Sequence, residues 1–191
     1  MNKAQAWINL LRLSNTPTLI SNVMVGLGLG MVAHQLQWSD SSFPPNFTPL
    51  VTLVLITIAL LSAYFGGLVL NDVVDVEHDK KHRPLRPIPM GIIPKKQATL
   101  IGSALLVLPV LIAMCTQVRA AYFMMALSSC ILIYTFLHRY LLPSLIFMGV
   151  CRGLVYVVAF SAFDVAFQAK HLLFFAVGIT SYTAVLTFIA K

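Results

Sequence analysis

Six apolar stretches, each near the ~20 residues an α-helix needs to cross a bilayer, dictate most of what this chain can fold into. They run from Pro17 to Val32, Leu50 to Leu70, Lys96 to Thr116, Ala120 to Leu137, Ser144 to Phe163 and His171 to Ala190. Hydrocarbon holds no water to satisfy backbone N–H and C=O groups, so such stretches must close their own hydrogen bonds as helices. Composition agrees: 10% of the residues are charged, against about 25% in a soluble domain. The expectation is an all-α, polytopic membrane helix bundle built as a single domain over residues 1–191. Ala4 to Leu13 reads as an interfacial lead-in, with Trp7, Ile8, Leu10 and Leu11 set against Asn9 and Arg12.

Local features refine this outline. Gly26, Gly28 and Gly30 lack the strand–turn–helix setting of a dinucleotide fingerprint. Small residues spaced like Gly26 and Gly30 instead suit close helix packing. Pro109 predicts a kink in the third span. Asn46-Phe47-Thr48, in a Ser/Pro/Asn-rich loop from His34 to Pro49, reads as a chance glycosylation acceptor. Cys115, Cys130 and Cys151 lie in apolar segments without CxxC spacing, so buried, inert thiols are expected rather than disulfides or zinc ligands. No convincing small-residue cleavage site follows the first apolar run, which is read as retained.

The net charge of +7 does not point to nucleic acid, because the basic residues sit between the apolar runs. With the N-terminus inside, the inner segments hold Lys3, Arg12, Lys80, Lys81, Arg83, Arg86, Lys95, Lys96, Arg139 and Lys191. The outer loops hold Arg119 and Lys170, and Arg152 remains in mid-span. That bias predicts cytoplasmic termini. A bacterial inner membrane is the expected setting.

The chemistry concentrates in Asn71 to Pro89, Asn-Asp-Val-Val-Asp-Val-Glu-His-Asp-Lys-Lys-His-Arg-Pro-Leu-Arg-Pro-Ile-Pro, within a cytoplasmic loop over 71–95. It carries Asp72, Asp75, Glu77 and Asp79, four of the six acidic residues. If the second span continues as a helix, Asp72, Asp75 and Asp79 fall at i, i+3 and i+7, within about 60° of arc. Like charges on one face destabilise a helix unless a cation sits among them. Oxygen ligands suit a hard divalent cation, and magnesium in particular binds through one or two carboxylates plus substrate phosphates. Lys80, Lys81, Arg83 and Arg86 follow directly and supply guanidinium and ammonium groups for phosphate oxygens. Arg152 is costly in mid-span and is expected to face the bundle interior, either paired with an acidic group or contacting substrate.

Asn-Asp-x-x-Asp-x-x-x-Asp followed by Arg-Pro-x-Arg-Pro-Ile-Pro-x-Gly resembles the first aspartate-rich motif of the UbiA superfamily of intramembrane prenyltransferases. The residues that carry the resemblance are Asn71, Asp72, Asp75, Asp79, Arg83, Pro84, Arg86, Pro87, Ile88, Pro89 and Gly91. Arg-Leu-Ser-Asn (Arg12 to Asn15) and Cys-Arg-Gly (Cys151 to Gly153) extend it. The resemblance implies Mg2+-assisted ionisation of a polyprenyl diphosphate and transfer of the prenyl group to a lipophilic acceptor in the membrane. It implies Asp72, Asp75 and Asp79 as metal ligands, with Asn71 beside them. Arg83, Arg86 and Lys80 would contact substrate, with Asn15, Tyr134 and Arg152 as further candidates. Tyr134 and His138 are spaced like a Tyr-x-x-x-Lys pair of the family, with His138 in place of the lysine and Arg139 next to it.

Family members have about nine spans and a second aspartate-rich motif after the sixth, so six of about nine helices are expected here. Asp164, the one acidic residue after Asp79, falls on the outer side and cannot supply that motif. The resulting expectation is an incomplete or inactive fragment. The alternatives are an inactive prenyl-lipid-binding paralogue and, from a different class, a cation-dependent transporter.

Overall fold

The computed structural model describes residues 2–37, 49–163 and 170–189, and all regular structure among them is helical. Helix α1 (Lys3–Leu11) is followed by a 3-10 turn (Leu13–Asn15) and α2 (Thr16–Gln37). Next come α3 (Pro49–Val74), α4 (Val76–His82), α5 (Lys95–Thr116), α6 (Val118–Leu137), α7 (Leu141–Ser161) and α8 (Lys170–Ile189). Among the described residues, five stretches are long and apolar enough to cross a membrane: Lys3–His34, Leu50–Val74, Lys95–Thr116, Val118–Leu137 and Leu141–Ser161. Helix α8 lies where the sixth span was expected. The 34–49 loop with its Asn46 acceptor, and the outer loop around Asp164, fall largely or wholly outside the described residues.

These helices are apolar nearly all round, which fits elements with neighbours on one side and lipid on the other. Leu60, Leu106, Met124, Leu127 and Phe160 are buried where α3, α5, α6 and α7 meet, whereas Leu100, Met114, Tyr122 and Phe136 face outward. Close packing of α2 on α7 depends on glycine. A Cβ on Gly26 would stand 2.7 Å from Ala159 Cβ, and one on Gly30 would stand 2.8 Å from the Phe160 carbonyl oxygen. Gly28, on another face, would meet nothing within 4 Å.

Helix α5 is continuous through Pro109, and two sequence expectations change. Helix α7 starts at Leu141, so Pro143 lies in its first turn, where the missing N–H has no intrahelical partner to lose. Cys130 is buried and Cys151 half-buried, but Cys115 is exposed on the outside of α5, where lipid accommodates a thiol as readily as the core does.

The lead-in helix α1 packs across the end of the bundle. Ala6 and Leu10 form a second apolar cluster with Val69 and Val73 of α3, Val76, Ile88, Ile93 and Ala98. This cluster pins the proline-rich segment after α4. There the N–H of Met90 donates to the Arg86 carbonyl and that of Gly91 to Ile88, while Ile92 and Ile93 both donate to Pro87. Gly91 adopts φ +74°, a left-handed conformation open to glycine at no steric cost. The segment is thereby a set of tight turns held by two buried isoleucines, and Arg86 projects from it.

Candidate active site

The last turn of α3 carries Asn71 and Asp72 under α1, and α4 carries Asp79. Asp72 and Asp79 are 5% and 2% exposed, and ions at that depth need partners. Arg12 Nη2 reaches Asp72 Oδ1 at 3.0 Å, and Arg86 Nη1 donates to the same oxygen at 3.2 Å and to Asp79 Oδ2 at 2.6 Å. One arginine thus joins the i and i+7 carboxylates, and a second arrives from the junction between α1 and α2. Arg12 is held at φ 46°, ψ 53°, the one non-glycine residue with positive φ among those described. A bulky side chain is seldom found in that region, and such strain persists only where surroundings enforce it.

Asp75 faces elsewhere. Helix α3 ends at Val74, and Asp75 sits at φ −82°, ψ 0°, before α4 resumes. Backbone bonds from Asp75 N to Asn71 O (3.0 Å) and from Asp79 N to Asp75 O (2.8 Å) carry the helical path across the break. Two turns bring Asp79 almost above Asp72, but an i+3 residue lies to one side. Asp75 therefore meets the turn between α6 and α7, where His138 Nε2 lies 3.1 Å from its Oδ2 and Arg139 Nη2 3.1 Å from its Oδ1. The three carboxylates do not converge as a ready-made metal set, and no cluster of three metal-type side chains occurs among the described residues.

Two buried oxygens nevertheless lack hydrogen-bond partners among the described residues: Asn71 Oδ1, next in sequence to Asp72, and Thr16 Oγ1 at the start of α2. A buried polar atom without a partner is costly and rare in folded proteins. Both arginines meet Asp72 through Oδ1, which leaves Oδ2 outside those pairs. The donor set of Asn71, Asp72 and Asp79 is all oxygen and supplies few ligands. This suits Mg2+, which completes its shell with water and substrate phosphate.

The remaining candidates divide. The Arg83 side chain is exposed, and its backbone N–H closes α4 on the Asp79 carbonyl at 2.7 Å. Lys80 pairs with exposed Glu77 at 2.9 Å, and this hydrogen bond holds Glu77 below the usual carboxyl range. Asn15 ends the 3-10 turn, exposed, three residues from Arg12. Tyr134 is half-buried, with its ring 5.9 Å from that of His138. Arg152 has no carboxylate partner among the described residues. With the Asn22 amide turned to satisfy both its ends, Arg152 Nη1 donates to Asn22 Oδ1 at 3.2 Å, and Asn22 donates to Tyr156 Oη at 3.0 Å and to Thr18 O at 3.3 Å. The acidic pairing open to Arg152 in the sequence is thus replaced by an amide.

The sequence placed Arg12 among the inner basic residues and in the Arg-Leu-Ser-Asn lead-in, did not single out Asn22, and gave Asp75 a metal ion rather than a side-chain partner. Arg12 and Asp72 are 60 residues apart, and His138 and Asp75 are 63 apart. Position in the Arg-Leu-Ser-Asn lead-in was the available signal for Arg12, and the Tyr-x-x-x-His spacing was the signal for His138.

The UbiA prenyltransferase family model matches residues 23–190, which include the buried aspartate pair and Arg86. The chain belongs to this family. It is accordingly an integral membrane protein of a prenyltransferase family. Among relatives, digeranylgeranylglyceryl phosphate synthase of Methanococcus aeolicus is 27% identical over 72% of this chain and 44% of its own length. The Pyrococcus horikoshii enzyme of that name is 38% identical over 53% of this chain and 35% of its own. The solved structure of a UbiA homologue from Archaeoglobus fulgidus bound to GPP and Mg2+ superposes with a TM-score of 0.74 at 17% identity, covering 95% of this chain and 60% of that one. At that identity the likeness concerns the fold. The chain spans less than half the length of the curated relatives it matches. Those relatives are archaeal, so they lend no support to the bacterial setting expected from sequence.

Proposed function

We propose that this chain carries the diphosphate-binding part of an enzyme that transfers a prenyl group from a prenyl diphosphate to a lipophilic acceptor. The observation that carries the reading is the buried Asn71 Oδ1, without a hydrogen-bond partner among the described residues and next in sequence to Asp72, whose carboxylate pairs with Arg12 and is joined to that of Asp79 by Arg86. A purely structural ion-pair cluster would have no use for such an oxygen. Asn71, Asp72 and Asp79 would hold Mg2+, which when bound neutralises charge on the departing diphosphate. Arg12 and Arg86 lie where they can exchange carboxylate for diphosphate oxygens, in the bidentate manner guanidinium favours. Asp75 holds the α6–α7 turn against the motif through His138 and Arg139, which keeps Tyr134 beside the site. Helix α1, packed across the end of the bundle, limits access of water to the reacting carbon, which matters when an allylic cation must meet an acceptor rather than water.

The acceptor is read as a lipid with a free hydroxyl and a glyceryl phosphate head, a class suggested by the name shared among the relatives. The motif end of the bundle is read as cytoplasmic.

The test is calorimetric titration of the membrane-reconstituted protein with geranylgeranyl diphosphate, with Mg2+ or EDTA present. Binding is expected to require Mg2+ and to be lost in Asp72→Ala and Asn71→Ala. Binding equally tight in EDTA, or unaffected by Asp72→Ala, would sink the reading.

A further inference from the structure

We propose that Arg152, seated by Asn22 and Tyr156, anchors the anionic head group of the acceptor. This rests on the prenyl-transfer reading and deepens it. The cation is unusual in three respects. It lies within a membrane-crossing helix, where an ionised group persists only in the bundle interior or a wet cavity. It shares a stripe of α7 with Tyr156, Ala159 and Phe160, and the contacts of Gly26 with Tyr156 and Ala159 and of Gly30 with Phe160 place this stripe toward α2 rather than lipid. Its one hydrogen-bond partner among the described residues is the neutral Asn22 amide. Guanidinium carries five N–H donors in a fixed fork. One N–H on an amide leaves both the charge and most of the fork for a ligand.

Depth and continuity suit an acceptor. Asn22 is six residues beyond Thr16, about 9 Å along α2 at 1.5 Å per residue, while Arg12 at the head of that helix contacts Asp72. Tyr134 stands at the aspartate end, its ring 5.9 Å from that of His138, which contacts Asp75. Arg152 lies deeper, against Asn22, so a diphosphate at the aspartates and an acidic head group at Arg152 would bracket the reacting atoms. Asn22, itself bonded to Tyr156 Oη, holds one edge of the guanidinium. The ligand chemistry is an oxyanion, phosphate or carboxylate, on a molecule that also carries the nucleophilic hydroxyl.

The experiment titrates the reconstituted full chain with geranylgeranylglyceryl phosphate, with neutral geranylgeranylglycerol and with 4-hydroxybenzoate, in wild type, Arg152→Gln and Arg152→Lys. Wild type is expected to prefer an anionic probe over the neutral one. Arg152→Gln should weaken that binding by roughly ten- to hundredfold, the worth of a charge-assisted hydrogen bond, with Arg152→Lys intermediate. Dependence on Arg152 seen with the phosphate lipid, or instead with 4-hydroxybenzoate, supports the anchor and identifies its anion. Equal affinity for neutral and anionic probes, or anion binding untouched by Arg152→Gln while thermal stability falls, makes Arg152 a strut between α2 and α7 and overturns the proposal. Geranylgeranyl diphosphate binding is measured on the same samples. Its failure in wild type counts against the reading of the aspartate site, while the Arg152 dependence of the other probes is read separately.

Discussion

At the residue scale, Arg86 and Arg139 carry the same charge and each faces motif carboxylates, yet their surroundings separate their worth. The Arg86 side chain is 22% exposed against Asp72 and Asp79 side chains at 7% and 3%. Removing one partner of a buried pair leaves an uncompensated charge and costs about 3–5 kcal/mol. Arg139 is 54% exposed against Asp75 at 16%, so solvent screens most of that attraction, and its removal should cost below about 1 kcal/mol. Thermal unfolding in detergent should therefore show Arg86→Leu strongly destabilised and Arg139→Ala close to wild type. Equal losses would mean that Asp72 and Asp79 are less enclosed than their burial indicates. Adding Asp79→Leu to Arg86→Leu should recover part of the loss, because fewer buried carboxylates then lack a cation.

At the scale of elements, the α2–α7 contact depends on two absent side chains. Gly26→Ala and Gly30→Ala push a methyl group against Ala159 Cβ and the Phe160 carbonyl oxygen at 2.7 and 2.8 Å. The helices must move apart, and overpacking of this kind costs roughly 1–3 kcal/mol. Gly28→Ala meets open space and should be neutral or slightly stabilising, since alanine favours helix by about 1 kcal/mol over glycine. A smaller loss at Gly30 than at Gly28, measured by the unfolding midpoint, would show that the two helices are not in this contact. Spacing alone made Gly26 and Gly30 legible as a packing face, and run length made the long helices legible, because both are local properties of the chain. The motif was only half legible. Its i, i+3, i+7 arithmetic pairs Asp79 with Asp72, but the sideways offset of Asp75 acquires meaning only when α6 ends against it. Arg12, His138 and Asn22 enter through packing of elements distant in sequence, and no periodicity announces that.

At the scale of the molecule, the ion pairs define which helix ends lie together. Arg12 before α2, Asp72 at the end of α3 and His138 after α6 meet at one end of the bundle. Arg119, one residue into α6, marks the opposite end. All the basic residues counted as inner, apart from Lys191 outside the described residues, flank the ends that gather at the motif. A retained Lys/Arg excess on one side fixes orientation during insertion, so the motif end should face the cytoplasm. Cysteine labelling in intact cells tests this, with Cys115, Cys130 and Cys151 replaced by alanine to remove background. Lys81→Cys, on the exposed side of α4, should react with a membrane-impermeant maleimide after permeabilisation and not before. Arg119→Cys should react in intact cells. The reverse pattern would place the aspartates outside, away from the cytoplasmic prenyl diphosphate pool the proposed reaction needs. Prenyl transfer by this site would then require a different donor supply, even if every contact around Asp72 were correct.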